Sequence, residues 1–304
     1  MSTVLDPHMF DSVIGKGCGA RKMSYTWRDV ALYALAVGAK KDDISYIYEL
    51  GGLKALPTFG LLPYLNSILM EPQHIVPYAP NEITGDLIIE KLGGKIPNRL
   101  HMAMDLTMYS VISPIQGTFL TEDKVINVYD WPPKGIVNET EMSMYDLAGN
   151  PVCTCKSTHF HGAFGGFGGQ PYQSPSMAYP DRAPDFMVTD HMADNQAALY
   201  RLLGDTYNVH IDTAVAKSYG YQGPFMQGLC TYGFACRMLI QKLFPYQPER
   251  MTHMYAQIRS ICYPGQDITL QGWKVDDGKV FFKLIGEEGK SLLNNGLFEY
   301  RSAD

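Results

Sequence analysis

Two short sequence patterns each occur twice in the same order, and this repetition constrains the fold more than any other feature. Residues 30–35 read VALYAL and residues 197–202 read AALYRL, an offset of 167 residues (30 to 197). Residues 56–60 read LPTFG and residues 229–233 read LCTYG, an offset of 173 residues (56 to 229). Two matches at nearly one offset predict a duplicated unit, and two copies indicate a tandem pair of domains rather than a solenoid.

Helical patterns occupy the matched segments. Both ALY segments are predicted to be amphipathic helices. In the second of them the predicted apolar stripe consists of Ala198, Leu199, Leu202 and Leu203. Residues 229–244 are apolar nearly all round, which is typical of a buried helix.

Strand-like stretches follow the predicted buried helix. Residues 254–263, 267–275 and 279–287 each read as a strand. Asp276-Asp277-Gly278 separates the last two and predicts a hairpin turn. A helix followed by antiparallel strands in each copy predicts the α+β class, with a sheet wrapped around one buried helix.

A Gly-, Pro- and Ser-rich stretch at 162–184 separates the two copies and reads as a linker. It contains no GxxxxGK[ST] pattern, so it is not predicted to be a phosphate loop. The predicted organisation is an N-terminal repeat at 1–161, a linker at 162–186 and a C-terminal repeat at 187–304.

Composition excludes several classes of protein. The formal net charge is −6 and Lys and Arg form no run, so nucleic acid is not expected as a partner. The longest apolar stretches, such as residues 30–39, are too short to span a bilayer. No secretory signal is recognised at the start of the sequence, which leads us to expect an intracellular protein whose six cysteines are buried thiols. His159 and His161 lack a third ligand nearby, so no metal site is predicted.

A polar break at 202–212, LLGDTYNVHID, holds the residues best suited to chemistry. A carboxylate and an imidazole on one loop, Asp205 and His210, are able to hold one water molecule between them and to move its proton. Gly204 permits a sharp turn just before the pair. Gly228 stands at the start of the predicted buried helix, where backbone N–H groups lack partners and attract a developing negative charge.

These segments resemble a known family. TDHMADNQAALYRLLGD, NVHID, GPFMQGLCTYGF and YPGQ in the second half are similar to the 2-enoyl-CoA hydratase 2 (MaoC-like) family, especially to the (R)-specific hydratase unit of eukaryotic peroxisomal multifunctional enzymes. WRDVALYALAVGA, DDISYIYE, LPTFG and GGFGG extend the resemblance through the first half. The resemblance implies a double hot-dog fold, two sheets each curled around a long helix, with the active site in the second repeat.

The same resemblance implies an activity, the hydration of trans-2-enoyl-CoA to (3R)-3-hydroxyacyl-CoA in fatty-acid β-oxidation. Asp205 is implied to activate water, His210 to orient it and share the proton transfers, and Gly228 to bind the thioester oxyanion. The resemblance implies a homodimer, a peroxisomal location, an acyl-CoA substrate and neither a metal nor a redox cofactor, with CoA entering only as part of the substrate.

The motif departs from the family pattern at three places. The family reads Gly-Asp, any residue, Asn-Pro, an aliphatic residue and His; Tyr207 and Asn208 stand where Asn-Pro is expected. Gln227 replaces the family His before Gly228, and residues 100–104 read LHMAM in place of Leu-His-Gly-Glu-Gln. Tyr207 or Asn208 is therefore expected to hold the water. Arg201 either braces the Asp205 loop by an ion pair or faces a CoA phosphate.

Two other functions remain open from the residues alone. One is a thioesterase or another dehydratase on the same fold, since a fold does not fix a function. The other is an acyl-CoA-binding protein without activity, suggested by the altered Tyr207, Asn208 and Gln227. In the first repeat, residues 36–43 read AVGAKKDD and contain no acid–His pair. No second active site is expected there, and by resemblance that repeat accommodates the acyl chain.

Overall fold

Two sets of five strands, one from each predicted repeat, build a single antiparallel sheet in the computed structural model, which describes residues 6–17, 20–66, 88, 91, 99–162 and 165–302. The strands of the first set are β1 (Arg21–Thr26), β2 (Arg99–Met108), β3 (Gln116–Trp131), β4 (Gly135–Tyr145) and β5 (Pro151–His161). Those of the second set are β6 (Phe186–His191), β7 (Met251–Ile258), β8 (Asp267–Asp276), β9 (Lys279–Ile285) and β10 (Ser291–Tyr300).

The strand order repeats within the sheet. It runs β1-β3-β4-β5-β2 and continues as β7-β10-β9-β8-β6, so each set has the same order read from its outer edge to the centre. The two sets meet where β2 pairs with β7, and Ala103 lies opposite Gln257 there. This repetition confirms the predicted duplication and the predicted α+β double hot-dog fold.

The helices of the described ranges are α1 (Trp27–Ala36), α2 (Ile44–Ile47), α3 (Leu62–Asn66), α4 (Gln196–Arg201), α5 (Thr213–Ser218) and α6 (Gly228–Leu243). The longest of them, α6, packs against β7 and β10 of this sheet. α6 is buried along most of its length, which confirms the helix predicted over 229–244. None of the helices in the described ranges is long and apolar enough to cross a membrane.

Residues at matching positions of the two repeats have similar packing roles. A Cβ on Gly233 of α6 would lie 2.5 Å from Val37 Cγ1, and one on Gly60 would lie 2.8 Å from Cys153 Sγ. Both matched positions therefore need glycine for close packing. The tyrosines of the two ALY segments, Tyr33 and Tyr200, lie side by side with ring centroids 6.4 Å apart.

The apolar stripe predicted for the second ALY segment is confirmed at Leu199 and Leu203 and wrong at Leu202. Ala197, Tyr200 and Leu203 are buried, whereas Leu202 is exposed. The ring of Tyr200 packs toward Tyr33 of the first repeat, so the face of α4 that carries Tyr200 is turned inward.

The predicted linker runs over the sheet without a helix or strand in its described part, between the end of β5 and the start of β6. The buried Asp130 carboxylate accepts hydrogen bonds from the backbone N–H groups of Gly166 and Gly168 at 2.7 and 2.8 Å. Tyr179 donates to the carbonyl of Phe282 in the second repeat at 2.8 Å. The linker is thus fastened to both repeats, while the exact domain boundaries stay a prediction.

Candidate active site

Asp205 and His210 face each other across a short loop that follows α4. Gly204 adopts a φ of 134°, a backbone conformation that favours glycine, and turns the chain just before Asp205. A single 3-10 turn, Asn208–His210, then brings His210 back. Asp205 Oδ2 lies 4.0 Å from His210 Nε2, and the two side chains are 17% and 9% exposed. This separation is too long for a direct hydrogen bond and short enough for one water molecule to contact both groups.

A backbone carbonyl fixes the orientation of the imidazole. His210 Nδ1 lies 2.7 Å from the carbonyl oxygen of Phe225. A carbonyl accepts hydrogen bonds only, so Nδ1 carries the hydrogen, and in the neutral ring the lone pair is on Nε2. The Nε2 lone pair therefore points to the side where Asp205 lies. The pair presents two acceptors to any water between them.

The start of α6 lies beside this pair because Phe225, the residue bound to His210, precedes Gly228 by three positions. Gln227 is the N-cap residue and its side chain makes no capping hydrogen bond. The N–H of Cys230 donates to the Gln227 carbonyl at 3.0 Å, whereas the N–H of Gly228 has no backbone partner among the described residues. A Cβ on Gly228 would lie 2.8 Å from Ile258 Cδ1, so only glycine fits here without displacing that side chain.

Buried polar atoms without a hydrogen-bond partner lie on the segments that carry Asp205, His210 and the start of α6. Among the described residues, buried side-chain atoms without a hydrogen-bond partner include Tyr200 OH, Arg201 Nε, Asn208 Oδ1 and Gln227 Oε1. Such atoms cost about 1–3 kcal/mol each when nothing satisfies them, so we expect a ligand or water to contact them here. Burial raises the pKa of Tyr200 well above its usual range, and the Asp205 carboxylate is a smaller cause. Tyr200 therefore stays protonated near Asp205.

The predicted accessory residues Tyr207, Asn208 and Gln227 make different contacts in the structure. Tyr207 stacks edge-on against His210, with ring centroids 5.9 Å apart, and its N–H approaches Asp205 Oδ1 at 3.4 Å. Asn208 has the buried, unpaired oxygen, which fits the predicted water ligand. Gln227 donates to the carbonyl of Ala197 at 3.2 Å and so fixes the start of α6 against α4.

Arg201 does not form the ion pair with Asp205 that was one of its two predicted roles. In the described part of the chain it has no carboxylate within 4.0 Å, because it ends α4 and the turn at Gly204 carries Asp205 away from it. The alternative, a contact with a CoA phosphate, stays a prediction.

Sequence reasoning missed Phe225 and Ile258. Phe225 acts through its backbone carbonyl, which has no residue-type signal. Ile258 lies on β7, thirty positions after Gly228, and its side chain limits the space beside Gly228. Only the position of β7 in the sheet brings the two residues together. Tyr200 was seen as part of a helix repeat, not as a neighbour of the carboxylate.

Two surface cavities of the described residues are not lined by this pair. One of about 440 Å³ is lined at the C-terminal end of α6 by Lys242 and Leu243, roughly 20 Å from Gly228 at 1.5 Å per helical residue. It contains no imidazole, so it lacks the acid–base pair that marks the loop after α4. The chemistry of the residues, not the volume of a cavity, identifies the candidate site.

The matches to known protein families divide at the same place as the repeats. Residues 23–162 match the MFE-2 hydratase 2 N-terminal domain, and residues 176–295 match the MaoC like domain. The chain therefore carries an MFE-2 hydratase 2 N-terminal domain and a MaoC like domain in tandem. The loop with Asp205 and His210 and the first turn of α6 both lie within the MaoC-like domain.

Curated and solved members of the hydratase 2 family match nearly the whole chain. A probable enoyl-CoA hydratase 2 of Dictyostelium discoideum is 29% identical, with 90% of each chain covered. The peroxisomal multifunctional enzyme type 2 of Mus musculus is 29% identical; 94% of the present chain aligns with 38% of that longer protein. The crystal structure of a MaoC-like dehydratase from Phytophthora Capsici superposes with a TM-score of 0.80 at 29% identity, covering 94% of this chain and 96% of that one.

Proposed function

We propose that this protein hydrates trans-2-enoyl-CoA to (3R)-3-hydroxyacyl-CoA in fatty-acid β-oxidation. The observation that carries the proposal is the facing pair of Asp205 Oδ2 and His210 Nε2, 4.0 Å apart, beside the uncapped start of α6. The name of the Dictyostelium relative, probable enoyl-CoA hydratase 2, supports this substrate class.

The addition of water uses the pair as a unit. One water molecule is held between Asp205 Oδ2 and His210 Nε2, and one of the two groups takes its proton as the oxygen attacks C3 of the enoyl group. The pair then returns a proton to C2, so that H and OH are both added and the thioester stays intact. Both hydrogens of this water point at the pair, so its oxygen lone pairs stay free, one to attack C3 and one to accept a hydrogen bond from the side-chain amide of Asn208.

The thioester oxygen gains negative charge during the attack. The N–H of Gly228 donates to it from the first turn of α6, where the helix dipole also favours negative charge. Because Gly228 has no side chain, the thioester is able to approach the backbone closely.

Cofactor, compartment and assembly belong to the same proposal. Hydration leaves no net change of oxidation state, so the reaction needs no redox cofactor, and the pair and the helix start supply the acid–base and electrophilic groups that a metal would otherwise provide. The peroxisomal name of the mouse relative supports a peroxisomal setting. Assembly as a homodimer stays a prediction from the family resemblance.

An ultraviolet assay of the purified protein with enoyl-CoA substrates of several chain lengths tests the proposal. We expect the absorbance of the conjugated thioester to fall while CoA stays bound to the acyl group, and chiral chromatography to show the (3R) product. Release of free CoA would instead indicate a thioesterase. Tight binding without turnover would indicate an acyl-CoA-binding protein, and either result would contradict the proposal.

A further inference from the structure

The inner face of the first repeat is polar where that of the second repeat is apolar. In β5 the alternating residues Ser157, His159 and His161 are buried. In β10, the strand at the same place in the second repeat, the buried residues are Leu292, Leu293, Gly296 and Phe298. The two repeats share one strand order, so the fold itself does not require polar side chains here.

Six residues form the polar group, called here the inner polar cluster: Tyr64, His101, Asn138, Ser157, His159 and His161. Ser157 is at its centre, and its hydroxyl lies 3.1 Å from Tyr64 OH and 3.1 Å from His101 Nε2. Tyr64 OH also lies 3.2 Å from His159 Nε2, and the His101 and His159 rings stack at 4.7 Å. This part of the cluster is satisfied internally.

Asn138 and His161 are not fully satisfied. His161 Nε2 lies 2.8 Å from Asn138 Oδ1, while His161 Nδ1 and Asn138 Nδ2 are buried without a partner in the part of the chain that the structure describes. The two residues are 0% and 1% exposed. One donor and one acceptor remain unpaired whichever way the amide and the ring are oriented, because the bond between them uses one of each. Two such atoms together cost about 2–6 kcal/mol if nothing meets them.

The inner polar cluster lies near the candidate active site by strand register. Ile258, which contacts Gly228, follows Gln257, and Gln257 pairs with Ala103 of β2. His101 is two residues earlier on β2 and pairs with His159 of β5. Strand spacings of about 4.8 Å and 3.3 Å per residue place His161 on the order of 10–15 Å from Gly228. A medium-length acyl chain spans that distance from the thioester.

The histidines of the cluster are neutral at physiological pH. Burial lowers the pKa of His101 and of His161 to about 4, and the nearby Arg99 guanidinium contributes to both shifts. Burial is also the main cause that lowers the pKa of His159. A neutral donor–acceptor pair suits a neutral ligand group. A hydroxyl fits best, since it donates one hydrogen bond and accepts up to two.

We propose that Asn138 and His161 bind a hydroxyl group carried by the acyl chain of the substrate, some distance from the thioester. The inference rests on the proposed function, because it assumes that the acyl chain extends from Gly228 toward the first repeat. It narrows the substrate class from plain fatty enoyl-CoA to hydroxylated acyl-CoA. Asn138 and His161 thereby determine specificity and take no part in the hydration step.

Calorimetric titration with saturated acyl-CoA tests the inference without turnover. The ligands are omega-hydroxy forms of octanoyl-, decanoyl- and dodecanoyl-CoA, each compared with its unsubstituted parent. We expect the wild type to bind the hydroxylated form at least tenfold more tightly at one chain length, about 1.4 kcal/mol. The double variant Asn138→Leu/His161→Phe should bind the parent more tightly instead. Replacing both polar partners by apolar side chains is compatible with folding.

Met144→Leu is the matched control, since Met144 is buried on the inner face of β4 at the end away from His161. It should keep the wild-type preference, and thermal unfolding should show all variants folded. The inference is overturned if the wild type prefers no hydroxylated ligand, or if the double variant keeps the preference. Wild-type hydration of crotonyl-CoA, whose chain is too short to reach the cluster, tests the proposed function separately.

Discussion

The two repeats have one strand order and opposite chemistry. The second presents an acid–imidazole pair on its loop after α4 and an apolar inner sheet face. The first presents no such pair in the matched loop and has the inner polar cluster. The two repeats thus have the same fold, and the residues that differ between them are the ones that packing alone does not explain.

The matched loops show the difference most clearly. In the first repeat the Asp43 carboxylate accepts hydrogen bonds from the backbone N–H of Lys40 at 2.7 Å and from Gln241 Nε2 of α6 at 3.0 Å. It is a packing residue that ties α6 to the first repeat. Asp205 of the second repeat has an oxygen directed at His210 instead. A carboxylate is available for chemistry only where packing leaves it free.

Loss of either member of the pair should have the largest effect. Asp205→Asn and His210→Ala should each lower kcat/KM for crotonyl-CoA hydration by about 10²–10⁴-fold, the usual contribution of a positioned acid or base. The matched control is Asp42→Asn, an exposed carboxylate in the first-repeat loop, which should leave the rate unchanged. An active Asp205→Asn enzyme would show that the pair is not the hydration site.

Gly228→Ala should come next. The new Cβ would lie 2.8 Å from Ile258 Cδ1 and would displace the thioester from the backbone N–H. We expect a fall in kcat of about 10²–10³-fold, the effect of removing one oxyanion donor. Adding Ile258→Val relieves the steric contact. If the double variant recovered full activity, crowding alone would explain the loss and the oxyanion role would be wrong.

His161→Phe should change the acid sensitivity of the fold. The folded-state pKa of His161, about 4, is below the unfolded value of 6.5, so the unfolded chain binds protons first as pH falls. Stability is therefore lost between pH 6.5 and 4, by on the order of 3 kcal/mol for this group. Urea unfolding at several pH values should show a shallower acid loss in His161→Phe. Exposed His191, changed to Gln, is the control.

His253 should show a smaller effect of opposite sign. Burial lowers its pKa, but Asp105 at 2.8 Å and Glu299 at 3.0 Å outweigh burial and raise the pKa overall. Its contribution to stability is complete below the unfolded value and is lost as pH rises through the folded pKa. His253→Gln should remove that decline in unfolding free energy as the pH rises above 6.5, the ordinary pKa of histidine. An unchanged pH profile would show that the contacts across β2 and β7 do not depend on charge.

Much of the fold was predictable because it depends on local patterns. The two ALY segments, the buried helix and the Asp276-Asp277-Gly278 hairpin each have a sequence signal within about ten residues, and the structure confirms all of them. The offset between the repeats then predicted a tandem duplication, and the family resemblance implied the double hot-dog fold. The Asp205–His210 spacing predicted a pair, and a loop with a glycine turn was enough to bring the two together.

The rest depends on register across strands, which no local pattern encodes. Asn138 and His161 are 23 positions apart, and they meet only because β4 pairs with β5 in one particular alignment. The Phe225 carbonyl reaches His210 through a fold-back of the chain. The stripe of α4 was misplaced because Tyr200 packs on the other repeat, a contact that the sequence of α4 does not show.

The seam between β2 and β7 has a consequence for any shortened form of the chain. A fragment containing only the second repeat would expose the edge of β7 that pairs with β2, and the backbone N–H and C=O groups on that side would lose their partners. Two such fragments would pair their exposed backbone groups along that edge, and the fraction that is paired would depend on their concentration. When the two repeats are joined in one chain, the pairing of β2 with β7 is intramolecular and does not depend on protein concentration. One repeat is then able to diverge in sequence from the other.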